Sequence, residues 1–119
     1  MRTVDEWKAA LRAALKEAMR TRDTQATAAL RSTMAAIDNA EAPDVSVAPA
    51  ALKEGVFAGS AGGLGSGEVN RLVLTPDAVQ AVVDREIQER RDAVALYTRL
   101  GKVDEASAVK AQLEVLLAL

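Results

Sequence analysis

Apolar residues recur at helical spacing over most of the chain. Trp7, Leu11, Leu15 and Met19, helped by Ala14 and Ala18, step along one stripe, as expected where one side of a helix faces a core. Thr3 followed three residues later by Glu6 forms a capping-box pattern, so a first helix is predicted over residues 3–21. Asp23 is a suitable N-cap for a second helix over 24–42, with Leu30, Met34 and Ile37 as its seam and Ala26, Ala29, Ala36 and Ala40 keeping it slim. The short link between them predicts an antiparallel hairpin.

The pattern then breaks over 43–74. Pro43 and Pro49 bracket a weakly apolar stretch, and `GVFAGSAGGLGSG` holds six of the seven glycines. A run of this kind gains little from burial and loses much entropy on ordering, so a long, flexible Gly-rich loop is expected. Within it, `ALKEGVF` suggests a helical turn and `VNRLVL` a short extended piece. Thr75 with Pro76 and Asp77 starts a third helix over 76–100, and Gly101 stops it. A fourth helix over 103–118 places Ala106, Val109, Leu113, Leu116 and Leu117 on one face. Its apolar end, `LLAL`, is expected to pack on something. The fold class predicted is all-α: one domain over 1–119, four helices, two antiparallel hairpins joined by the Gly-rich loop.

Composition narrows the chemistry. The chain has 119 residues, no Cys and no His, and a net charge of -2. That removes thiol chemistry, disulfides, most zinc sites and the usual general base near neutral pH. The charge argues against a strongly basic nucleic-acid binder while leaving room for a local patch. No apolar run approaches the ~18 residues that span a bilayer, and the N-terminus lacks the apolar core of a signal peptide, so a cytoplasmic protein without membrane contact is expected.

Two motifs invite functional readings that their context does not support. Gly63-x-Gly65-x-Gly67 lacks the Lys-Ser/Thr of a phosphate loop and reads as a surface loop. Glu86 and Glu89 could pair for acid–base or metal work. They are interleaved with Arg85, Arg90 and Arg91 at ion-pairing spacing, so no catalytic residue, metal ligand or cofactor is predicted.

Two other features persist. Lys8, Arg12, Lys16 and Arg20 form a basic stripe at four-residue intervals along the first helix. Like charges so spaced cost a few tenths of a kcal/mol per pair. Either acidic residues of a neighbouring helix offset them, with the stems lying over the core, or an external phosphate backbone does. In the third helix, with 100° per residue and Val83 at zero, Arg90 falls at about 340° and Glu86 at about 300°, inside the arc of Val79, Ile87, Val94 and Tyr97. The residues leave two readings: a Glu86–Arg90 pair that orients the helix, or an arginine held at a cleft to meet an anion.

The run `REIQERRDAVALYTRLGKVDEASAVKAQLEVL`, residues 85–116, resembles the GatB/YqeY family, which shows an Arg-Glu-Ile-x-x-Arg-Arg-Asp helix, an aromatic, and a Gly-Arg/Lys turn before its next helix. The first hairpin, `LRAALKEAMRTRDTQATAALRSTMAAIDNAE`, is similar to the family's opening. The likeness covers residues 7–42 and 75–116. It implies a helical fold akin to the tail domain of the B subunit of the glutamine-dependent tRNA amidotransferase, where the tail helps engage tRNA and amide transfer occurs elsewhere. Free-standing members are small bacterial proteins grouped with the carbon–nitrogen ligases that use glutamine as amido-N-donor, by relation to that subunit. Members usually continue into a second helical subdomain beyond the point where this sequence stops, and their link between hairpins is shorter. The resemblance and the basic stripe together lead to the expectation of a non-catalytic, YqeY-like module associated with tRNA, with Lys8, Arg12, Lys16 and Arg20 as candidate contacts and Arg85, Arg90, Arg91 and Lys102 as secondary ones. The alternative is a protein-interaction module that docks on a larger partner or on itself through the fourth helix.

Overall fold

Thr3 starts the chain's first helix by hydrogen bonding in both directions. Its hydroxyl accepts from the Glu6 backbone N–H at 3.1 Å, and its own N–H donates to Glu6 Oε1 at 2.8 Å. The computed structural model describes residues 1–43 and 71–119, and these form four α-helices and no strand. They are α1 (Val4–Arg20), α2 (Thr24–Glu41), α3 (Pro76–Arg99) and α4 (Val103–Leu117). The fold is all-α.

Both hairpin turns close in the same way. At the end of α1 the Asp23 N–H donates to the Ala18 carbonyl at 2.9 Å and the Arg22 N–H to Met19 at 3.2 Å. At the end of α3 the Lys102 N–H donates to Tyr97 at 2.8 Å and the Gly101 N–H to Thr98 at 3.1 Å. This is the Schellman arrangement, which needs a left-handed residue just past the helix. Gly101 takes that role at φ 73°, and Arg22 takes it at φ 59° despite its side chain. Asp23 then caps α2 by accepting from the Ala26 N–H at 3.0 Å, and Thr75 caps α3 by accepting from Ala78 at 3.1 Å.

Residues Met1–Asp38 and Leu74–Leu119 form one compact unit, and Asn39–Val73 form a second. In the first, Trp7, Leu11, Ala18, Ala26, Leu30, Ile37, Val79 and Val83 make a single cluster drawn from α1, α2 and α3. Full burial of each Leu, Ile or Val contributes about 1.5–3 kcal/mol. In the second, the Leu72 N–H donates to the Glu41 carbonyl at 2.7 Å, and Arg71 pairs with the buried Glu41 carboxylate at 3.4 Å. Residues 71–75 belong to no helix or strand. The expected turn at 51–57 and the Gly-rich run at 55–67 lie outside the described residues. No described helix is long and apolar enough to cross a membrane.

Several core assignments differ from the stripes expected. Met19 is 53% exposed while Ala18 is buried. A four-residue step overshoots a full turn by about 40°, so the Trp7–Leu11–Leu15–Met19 series rotates out of the core by its fourth member. On α2, Thr33 is fully buried, its hydroxyl donating to the Ala29 carbonyl one turn back at 2.9 Å. On α4, Leu117 is 53% exposed. Leu116 is buried, and Val115 and Leu119 pack against the core. The apolar tail therefore covers its own chain.

Candidate functional site

α3 carries Glu86 and Arg90 one turn apart, and the tertiary structure surrounds them with polar side chains from two other helices. Arg90 Nη1 donates to Glu86 Oε1 at 3.1 Å and to the Glu86 backbone carbonyl at 3.0 Å. Ser32 Oγ, on α2, donates to the same carboxylate oxygen at 2.7 Å. Arg90 Nε donates to Gln112 Oε1 on α4 at 3.2 Å, and Gln112 Nε2 donates to Gln25 Oε1 on α2 at 2.7 Å. Gln25 and Ser32 are seven residues apart, two turns along one face, so the bonds run from α2 through α3 and α4 back to α2. The side chains of Arg90 and Glu86 are only 11% and 10% exposed.

This geometry suits a clasp better than a reactive centre. A Ser–Glu contact could be read as a nucleophile with its base. Here the carboxylate oxygen that faces Ser32 also accepts from Arg90, so that oxygen is already shared between two donors of the chain itself. The structure places Glu89, the other carboxylate considered for acid–base or metal work, on the exposed side of α3. Among the described residues no group of three or more acidic side chains is arranged to hold a metal ion.

The basic stripe lies on the outer face of α1. Arg12, Lys16 and Arg20 are exposed and Lys8 is half-buried. Arg20 is held by Glu17: its Nε donates to Glu17 Oε1 at 3.1 Å and its Nη2 to Oε2. This bond keeps the Glu17 carboxyl below its ordinary pKa and raises that of Arg20. Lys8 also has a partner. Arg12 and Lys16 have no ion-pair or hydrogen-bond partner among the described residues. Among the described residues no acidic side chain of a neighbouring helix pairs with either of them. Charge is also segregated along the chain: the first 22 residues hold six basic and three acidic side chains, against -2 for the whole.

The other basic positions are scattered. Arg85 and Arg91 are exposed but lie about 120° apart around α3. Lys102 is exposed at the start of α4. Arg90 is spent on the clasp and offers little surface to an external anion. The residues missing from the sequence-based reading are Ser32, Gln25 and Gln112. Their partners are 22, 54 and 87 residues distant in the chain, and no local pattern marks them.

A shallow groove of about 310 Å³ runs between the α1–α2 turn and the end of α4, floored by Ala18, Ala26, Leu30 and Val115 and edged by Glu17 and Asp23. Both carboxylates are occupied, Glu17 by Arg20 and Asp23 by the α2 N-terminus. No family model matches the chain, and neither a curated protein nor a solved structure matches it.

Proposed function

We propose that this chain is a non-catalytic helical module that engages tRNA electrostatically through the outer face of α1, as its resemblance to the GatB/YqeY family implies. The observation that carries the reading is the pair Arg12 and Lys16: exposed, one turn apart, and without a partner among the described residues. An isolated helix gains nothing from such repulsion, whereas phosphates neutralised by lysine and arginine release their counterions. Lys8 and Arg20 extend the row at either end. Arg85, Arg91 and Lys102 are secondary contacts, and Arg90 is a structural residue in this proposal. The relation to carbon–nitrogen ligases that take their amide from glutamine is one of ancestry, with no amide transfer by this chain.

The rival is self-association or docking on a protein through the apolar end of α4, where Leu117 is 53% exposed. Leu116 and Leu119 face inward, and the exposed large apolar side chains nearest the α3–α4 turn are Leu96, Leu100 and Val103. A salt-titrated binding assay with bulk tRNA separates the readings, with sedimentation of the free protein alongside. The expected result is a monomer whose tRNA affinity falls steeply with salt and is lost in Arg12→Glu/Lys16→Glu. Absence of binding at low salt, or binding indifferent to that charge reversal, refutes the proposal.

A further inference from the structure

Resting on that reading, we infer that the α1 face recognises the phosphate backbone of double-stranded RNA rather than the bases of a single strand. Proteins that hold single strands combine a basic groove with exposed aromatic platforms, and stacking returns the free energy spent in ordering a flexible strand. The α1 face has the charge without the platforms. Among the described residues the aromatics are Trp7 and Tyr97. Trp7 is only 6% exposed and carries the Arg2 guanidinium 4.7 Å from its ring centroid. Tyr97 is half-buried on α3. No ring on α1 is therefore open to a base.

The geometry of the cations points the same way. They recur every four residues on a continuous helix, about 6 Å of axis per charge. α1 is continuous between the Thr3–Glu6 capping box and the Schellman turn, and the row winds about 40° around it per step, so that Arg12 and Lys16 are flanked by Lys8 on one side and Arg20 on the other. A row of charges fixed on one helix gains most from a polyanion that is already rigid, and a duplex carries two phosphate strands along its axis where a single strand carries one. Duplex RNA is recognised through shape, phosphates and 2′-hydroxyls, without reading bases. Arg12 and Lys16 are the centre of the contact. Lys8 and Arg20 join by exchanging their present partners for phosphate.

The test compares a blunt RNA duplex of mixed sequence with an unstructured single strand of equal length, each titrated with the intact protein by fluorescence anisotropy over a range of salt. The expected result is tighter binding to the duplex, by at least about fivefold at low salt, with log affinity against log salt falling at a slope of about -2 to -4 for two to four neutralised phosphates. Arg12→Glu/Lys16→Glu lowers duplex affinity at least about tenfold and flattens the slope by about 2. Both positions are exposed, and circular dichroism checks that the variant is folded. Equal or tighter binding to the single strand overturns this inference and leaves the tRNA proposal standing. Binding to neither, or duplex binding that the double variant retains, overturns both.

Discussion

Replacing Arg90 with methionine removes one half of a nearly buried ion pair and leaves the other in place. Glu86 would keep the Ser32 hydroxyl at 2.7 Å and lose both its charge partner and the donor to its own backbone carbonyl, while Gln112 Oε1 loses its donor. Breaking a buried pair in this way costs about 3–5 kcal/mol, because a charge is left in a low-dielectric site. The two side chains retain 11% and 10% exposure, so about 3 kcal/mol is the better figure here. A domain of this size has a total stability of about 6–18 kcal/mol, so the loss is a substantial share. With a urea m-value near 1.5 kcal/mol/M, the midpoint falls by about 2 M. Trp7, the only tryptophan and a core residue, reports loss of packing by fluorescence, and circular dichroism reports helix loss. The companion variant Glu86→Leu/Arg90→Met removes both charges and recovers at least about half of the deficit, since apolar replacement of a buried pair is often neutral. A midpoint shift below about 0.5 M in Arg90→Met, or a double variant less stable than that single one, would refute the view that the pair is held by mutual burial.

Other consequences follow from particular residues. Arg22→Gly relieves a left-handed backbone at a side-chain-bearing residue and raises Tm by about 2–4 °C, while Gly101→Ala, which meets no neighbouring atom within 4 Å, lowers it by a similar amount through backbone strain alone. Leu116→Ala empties a side chain that is 2% exposed, costs about 2–4 kcal/mol, and strips hydrogen-exchange protection from the last turns of α4 first. The Thr3 N–H and hydroxyl hold the Glu6 carboxyl below its ordinary value of 4.5, so its stabilising effect is present above that pH and is lost as pH falls through the lower folded-state value. The Tm difference between the parent chain and Glu6→Gln is therefore expected at pH 7 and closes as pH falls through the lowered folded-state value; a difference unchanged in acid would refute the assignment.

The helices and their stops were legible because their causes are local. Thr3 with Glu6, Asp23, Thr75 with Pro76, and Gly101 each act within four residues of their own position, and the all-α fold follows from that punctuation and the apolar spacing. The face of α1 that carries Arg12 and Lys16 is likewise readable, since residues four apart on a helix lie only about 40° from one line. Arg22 gave no such signal, because its left-handed backbone is imposed by two hydrogen bonds back into α1 and not by its own preference. What covers what was decided only by the tertiary structure. Helical arithmetic puts Glu86 and Arg90 on one face, but their satisfaction by Ser32, Gln112 and Gln25 depends on three helices meeting at one point. The same holds for `LLAL`: sequence marks its four residues as apolar, and only the packing of α4 turns Leu116 and Leu119 inward and leaves Leu117 outside. Local hydrogen bonds and spacing determine the elements of this protein, while burial and the pairing of charges are properties of the assembly, because each requires atoms that the chain brings from far away.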